Sequence, residues 1–80
     1  MTWHIGIMET ETLTWYALGG TPQETKEACL NWWNYRQKEL AYHRPGFEPT
    51  YFESIEELEQ NYDIVIIELA PGQCKRYGID

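Results

Sequence analysis

Apolar and polar positions alternate at the start of the chain. From Trp3 to Met8 every second side chain falls on the same side, which is the period of a half-buried β-strand. One side carries three large apolar residues: Trp3, Ile5 and Ile7. After the polar stretch 9–12, residues 13–18 are again rich in side chains that suit a pleated surface. The pattern predicts a β-hairpin that ends at the glycine pair 19–20.

The next segment carries the signals of a helix start. Thr21 suits the N-cap, Pro22 the first helical position, and Glu24 the third, from which its carboxylate can reach back to the cap. A helix is therefore predicted from Pro22 to about Ala41. At about 100° per residue, its predicted buried arc consists of Ala28, Cys29, Trp32, Trp33, Arg36 and Leu40. The residues predicted to face water are Asn31, Asn34, Gln37 and Lys38.

A loop and a second helix follow. Two prolines and a glycine in residues 43–49 keep this segment out of both neighbouring elements. Ser54 and Glu57 repeat the capping pattern, so a second helix is predicted over residues 55–62. The residues of this helix that we expect to face the core are Ile55, Leu58 and Tyr62.

The strongest strand signal is the segment 64–69, which is short, rich in β-branched residues and typical of a central strand, with Glu68 as its one polar residue. Residues 70–73 are typical of a type II turn, and residues 73–77 are predicted to return as a short edge strand. The element order ββααββ predicts an α+β fold. In this fold, residues 1–80 form a single domain with both helices packed on one face of an antiparallel sheet.

Composition and charge narrow the function classes. The 80 residues include 13 acidic and 6 basic side chains, for a net charge of -7, and 42% of them are apolar. This composition forms one small core, which excludes disorder and a two-domain organisation. An acidic chain does not neutralise phosphates, so we expect no direct binding to nucleic acid or to an anionic membrane. The sequence has neither a signal peptide nor a run of ~20 apolar residues, which predicts a cytoplasmic protein.

Residues that could carry chemistry are few. The only serine, Ser54, is predicted to cap a helix, and the sequence has neither a nucleophile elbow nor a phosphate-binding loop. In a reducing compartment we expect Cys29 and Cys74 to be free thiols, with one disulfide between them as the alternative. Neither cysteine has a partner at metal-chelating spacing, so we predict no catalytic residue, metal ligand or cofactor.

Arg36 stands in the middle of the predicted apolar arc of the first helix. Its aliphatic stem could cover Trp32 or Trp33 while its guanidinium reaches water or a carboxylate such as Glu68. Alternatively, its rigid fork of donors could anchor an anion. Arg36, Trp32 and Trp33 are therefore candidates for binding a small anionic or nucleotide-like ligand. The helix start after Gly19-Gly20 is a second candidate place.

Acidic residues crowd one short segment. Residues 53–63 contain no base and five acids: Glu53, Glu56, Glu57, Glu59 and Asp63. Such a run forms either a solvated helix face or a negative patch that steers towards a basic protein partner. Twelve aromatic residues also exceed what so small a core can enclose, unless the rings serve to close it. Phe47 and Tyr51, in the preceding loop, are the candidate surface rings for the same partner.

In its size, its acidity and its lack of a catalytic motif, the chain resembles the small proteins of phages and mobile elements that block host defence nucleases, including anti-CRISPR inhibitors. The resemblance is one of class and rests on no shared motif. It implies a non-enzymatic inhibitor whose acidic surface imitates nucleic acid and binds a basic protein. The first hypothesis is thus an interaction protein, and the alternative is a small-ligand binder.

Overall fold

A computed structural model describes residues 2–76 of the chain. The elements in this range are β1 (Trp3–Glu9), β2 (Thr14–Gly19), α1 (Pro22–His43), α2 (Ile55–Glu59) and β3 (Ile64–Leu69). The predicted α+β class and antiparallel sheet are confirmed, with three strands and two helices in the described residues. The second helix is shorter than predicted, because it ends at Glu59 rather than at Tyr62.

β1 is the central strand of the sheet and pairs antiparallel with both neighbours, in the order β2-β1-β3. Ile5, for example, lies opposite Leu18 on β2 and opposite Ile67 on β3. Residues that lie opposite one another across two strands share a side of the sheet. This register therefore decides which side chains form each face.

β3 is an edge strand and not the central strand that its apolar run predicts. The predicted turn after it forms, since Gly72 has a φ of 83° and the Gln73 N–H donates to the Ala70 carbonyl at 3.0 Å. Residues 73–76 then form no strand, and Tyr77, the end of the predicted one, lies outside the described residues. The Gln73 side chain accepts the Ala70 N–H at 2.8 Å, which closes the turn locally instead of extending it as a hairpin. The predicted order ββααββ is therefore ββααβ over the described range.

α1 approaches the sheet very closely near its N-terminus. Thr25 is fully buried there and faces two glycines. A Cβ added to Gly6 would lie 2.8 Å from Thr25 Cγ2, and one added to Gly19 would lie 2.6 Å from Thr25 Oγ1. The Thr25 hydroxyl is shared between the carbonyls of Thr21, at 2.8 Å, and His4, at 3.2 Å. The glycines therefore permit a contact that ties the helix to β1.

The core lies between α1, the sheet and the segment that leads into α2. It is formed by Met8, Cys29, Trp33, Phe52 and Leu58. α2 contributes Leu58 to this core but packs chiefly against α1. The predicted arrangement, with both helices laid across one sheet face, is therefore not matched: α1 lies over β1 and β2, and α2 lies beside α1.

The buried side of α1 is rotated relative to the predicted arc. Its buried residues are Thr25, Cys29, Trp33 and Gln37. Trp32, predicted to be buried, is 61% exposed. The reason is the segment 50–52, which lies against α1 and has its backbone bound by the side chains of Asn34 and Gln37. Both residues were predicted to face water, because the helical period does not reveal a non-local segment packed on that side.

Candidate functional site

One face of the sheet is left uncovered by the helices of the described residues. Because Gly6 and Met8 of β1 face α1, the alternate residues of β1 and their cross-strand partners face the other way. We call this side the open face. Its eight apolar or aromatic side chains are Trp3, Ile5, Ile7, Tyr16, Leu18, Val65, Ile67 and Leu69. Glu9 and its partner Thr14 lie on the same side, at one end of the sheet.

The exposure of the open face increases from its centre to the β2 edge. Ile7, on the central strand, is 7% exposed, whereas Leu18 and Tyr16 on β2 are 61% and 73% exposed. The end of the face next to the last turn holds a hollow of about 370 Å³. Its lining is Trp3, Ile5, Leu18 and residues 69–73. A contiguous exposed apolar surface of this kind is typical of an interaction site.

The opposite end of the open face is acidic. Glu9, at the end of β1, and Asp63, just before β3, line one cleft of about 370 Å³ together with residues of the open face. No basic residue lines this cleft in the described part of the chain. Glu11 is joined to it by a 3.0 Å hydrogen bond that its carboxylate accepts from the Tyr62 hydroxyl. We call Glu9, Glu11 and Asp63 the acidic end.

Two titratable groups, Tyr62 at the acidic end and Cys29 in the core, have shifted pKa values. The pKa of Tyr62 is raised by burial, by its hydrogen bond to Glu11 and by the Glu11 charge. The pKa of Cys29 is raised by burial alone. In both cases the neutral form is favoured, so Tyr62 remains a donor to Glu11 and Cys29 remains an unreactive thiol at neutral pH.

The acids predicted to bind a partner differ in what they contact. Four are exposed: Glu53, Glu56, Glu59 and Asp63. The Glu57 carboxylate, which is half-buried, accepts the Glu53 N–H at 3.0 Å and so serves the start of α2. Glu59 pairs with Lys26 on α1 at 3.4 Å. Asp63 lines the cleft of the acidic end, which the sequence pattern did not connect to Glu9 or Glu11.

The two predicted surface rings are unequal. Tyr51 is 50% exposed, whereas Phe47 is half-buried. The backbone next to Tyr51 is fixed on α1, because the Trp33 Nε1–H donates to the Thr50 carbonyl at 2.9 Å. Neither ring lines the cleft of the acidic end.

The three predicted ligand residues are divided between two clefts. Arg36 and Trp33 line a cleft of about 320 Å³ beside the β1–β2 turn, whose wall also holds a second base, Arg44, and Glu11 of the acidic end. Trp32 lines a separate cleft between α1 and β2. The structure therefore brings together two of the three residues and adds a base that the sequence analysis did not name.

The contacts of Arg36 and the surroundings of the start of α1 also differ from those predicted. Arg36 contacts Glu39, one turn further along α1, at 3.5 Å, and not Glu68. At the start of α1, Gly19 is buried against Thr25, so the space next to the glycine pair is filled by the protein's own side chain.

The open face was not named as a site by the sequence analysis, although the alternation of Trp3, Ile5 and Ile7 is its central strip. The missing information was which side the helices cover. The apolar run at residues 64–67 of β3 was a second signal. An edge strand with apolar side chains on both sides indicates surface that is available to another element.

Cys29 is buried, Cys74 is exposed, and both are free thiols, so the alternative of a disulfide between them is wrong. In residues 2–76 no three His, Cys, Asp or Glu side chains are placed to hold a metal ion. Over the same range, no helix has both the length and the apolar character needed to cross a membrane. Comparison with protein-family models, with curated proteins and with solved structures gives no match to this chain.

Proposed function

We propose that this chain is a non-enzymatic interaction protein that binds a protein partner with a basic surface. The observation that carries the proposal is the convergence of Glu9 and Asp63 in one cleft that no base lines among the described residues, with Glu11 beside it. A cleft lined by two carboxylates and no base has a negative potential, which attracts a cationic partner. The acidic end therefore favours a partner that brings lysine or arginine side chains to it.

Exposed acids of and around α2 add further negative charge to the surface of the protein. Glu56 lies on the helix, and Glu53 precedes it. Surface acids of this kind contribute more to the association rate and to the choice of partner than to affinity. The natural counterpart is a protein that binds nucleic acid through a basic groove. Inhibition of such a protein, as the class resemblance implies, is part of the proposal.

The proposal is tested by charge reversal with a matched control. The test variant is Glu56→Lys with Asp63→Lys, and the control is Glu27→Lys with Glu48→Lys, which changes the net charge equally at two exposed acids elsewhere. Each purified chain is immobilised and incubated with a lysate of the cells that naturally produce the protein, and the retained proteins are identified by mass spectrometry. The association rate and the affinity of a purified partner are then measured at several salt concentrations.

We expect the test variant to associate with the partner at least about tenfold more slowly, because charge reversal replaces attraction with repulsion. Its binding should also depend less on salt, because contacts between exposed charges are screened by ions. The control should stay within about twofold of the original chain. Equal losses in both variants would mean that net charge alone drives capture and would overturn the proposal, as would unchanged binding of the test variant.

A second candidate function, binding of a small anionic ligand, is favoured by the presence of two bases, Arg36 and Arg44, against one acid, Glu11, in the wall of one cleft. Two guanidinium groups suit a phosphate or carboxylate, and Trp33 in the same wall reports on binding by its fluorescence. Titration with adenosine monophosphate should quench that fluorescence. The quench should be lost in Arg36→Gln and kept in Lys38→Gln, whose lysine is exposed on the same helix.

A further inference from the structure

We infer that the open face is the docking surface for an apolar element of the partner, and that the acidic end fixes the orientation of that element. This inference rests on the proposed function, because it names the part of the partner that the acidic end places. The partner element is an amphipathic segment whose apolar side lies on the open face and whose basic residues reach Glu9 and Asp63.

The composition of the open face is typical of a surface that is covered by a binding partner. Its eight side chains are apolar or aromatic and occupy three adjacent strands without an interrupting charge. Tyr16 and Leu18, the most exposed of them, are adjacent members of the same side on β2. Covering these two side chains removes apolar surface from water, which favours binding.

Charge and area disfavour a second copy of this chain as the occupant. Three strands about 4.8 Å apart and about 20 Å long outline roughly 300 Å², whereas a stable interface covers about 800 Å² on each partner. A lasting complex must therefore include the border of the open face. Glu9 and Asp63 lie on that border, and each copy carries a net charge of -7, so two copies would repel. A partner with basic flanks is attracted by the same border.

The two ends of the open face differ, which gives the interface a direction. At one end Ile7 and Val65 share a cleft with Glu9 and Asp63. At the other end the hollow beside the last turn is lined by Trp3 and other apolar side chains and contains no acid. A segment with a base at one end and a large apolar side chain at the other fits in one orientation only.

The probe for this inference is a synthetic amphipathic peptide with leucines on one face and lysines on the other. The test variant is Tyr16→Thr with Leu18→Thr, which keeps strand-forming residues on β2. The matched control is Leu13→Thr with Tyr42→Thr, which removes the same two residue types at positions off the open face that are 54% and 84% exposed. Val65→Thr, a replacement of nearly equal shape, is a second variant in case the double variant folds poorly.

We expect peptide binding to shift the amide resonances of β1, β2 and β3 rather than those of α1. The affinity should fall at least about tenfold in Tyr16→Thr/Leu18→Thr and fall in Val65→Thr, with the control within about twofold. A peptide with glutamates in place of the lysines should not bind. Equal affinity of the test and control chains, or shifts centred on α1, would overturn the inference. A homodimer in sedimentation that the Tyr16→Thr/Leu18→Thr change dissociates would also overturn it.

The same titrations separate the two proposals. If Glu56→Lys/Asp63→Lys abolishes peptide binding while Tyr16→Thr/Leu18→Thr leaves it unchanged, the proposed function stands and the docking surface is wrong. If the open-face variants lose binding and the charge variant does not, the docking surface stands without its orientation by charge, and the basic partner of the proposed function is wrong.

Discussion

The Tyr62 hydroxyl donates a 3.0 Å hydrogen bond to the Glu11 carboxylate and so joins two residues that lie 51 positions apart in the chain. Glu11 belongs to the turn after β1, and Tyr62 lies between α2 and β3. The Tyr62 ring also packs against Trp33 with the ring centroids 5.2 Å apart. One side chain thereby connects the acidic end to the core.

Replacement of Tyr62 by Phe should change how stability depends on alkaline pH. The folded-state pKa of Tyr62 is raised above its ordinary value of 10.0. Its contribution to stability is therefore fully present below about pH 10 and is lost as the pH rises through the raised pKa. Tyr62→Phe keeps the ring but cannot ionise.

We expect Tyr62→Phe to lower stability by about 0.5–1 kcal/mol near neutral pH, through the lost hydrogen bond. It should then lose less stability than the original chain between about pH 9 and 11. Urea unfolding midpoints of both chains, measured across that pH range, test this prediction. Parallel curves for the two chains would show that Tyr62 is not the group responsible.

The close packing of Thr25 on the sheet predicts that Gly6 and Gly19 tolerate no side chain. A methyl group at either position would lie under 3.0 Å from Thr25, and at Gly19 the obstructing atoms include backbone. Gly6→Ala and Gly19→Ala should each lower stability by about 1–3 kcal/mol through overpacking. Gly20→Ala is the control, because a Cβ there meets a single atom, Glu24 Oε2, at 3.7 Å. Thermal unfolding of the three variants measures their relative stability. A loss of stability in Gly20→Ala as large as in the other two would contradict the prediction.

Much of the fold follows from local signals that the sequence carries. Thr21 and Ser54 cap their helices through their side-chain oxygens, as their positions predict. The strand at residues 64–69 has the predicted bounds. These features depend on residues within a few positions of one another, and such interactions are visible in a linear pattern.

The features that were wrong depend on which distant segment covers which side. Gln37 is buried because the Thr50 N–H donates to its side chain at 3.0 Å, and Trp32 is exposed because no described segment covers it. The β-branched run of β3 predicts a central strand, because such a run is also typical of a strand covered on both sides. The open face is not predictable from the sequence pattern for the same reason, since a period of two residues separates the faces of a strand without indicating which one is covered.

Two hydrogen bonds join the Asn34 side chain to the Phe52 backbone. They predict that replacing Asn34 lowers stability strongly, although the helical pattern places this residue in water. Asn34 Nδ2 donates to the Phe52 carbonyl at 2.8 Å, and Asn34 Oδ1 accepts the Phe52 N–H at 3.0 Å. Asn34→Ala leaves both backbone groups unpaired beside a buried ring and should cost about 1–3 kcal/mol. Asn31→Ala, at an exposed position of the same helix, should be neutral or slightly stabilising. Equal unfolding midpoints for the two variants would contradict a structural role for these two hydrogen bonds.

The two thiols should differ sharply in reactivity. Cys74 is exposed, whereas Cys29 is 3% exposed among core side chains and has a pKa raised by burial, so it presents little thiolate to a reagent. With a disulfide reagent at neutral pH, one equivalent should react quickly and the second only as fast as the fold opens. Cys74→Ser should remove the fast phase. Gly6→Ala should accelerate the slow one, because a less stable fold opens more often. A fast reaction of both thiols in the folded chain would contradict the burial of Cys29 beneath α1. So would a slow phase whose rate is unchanged by Gly6→Ala.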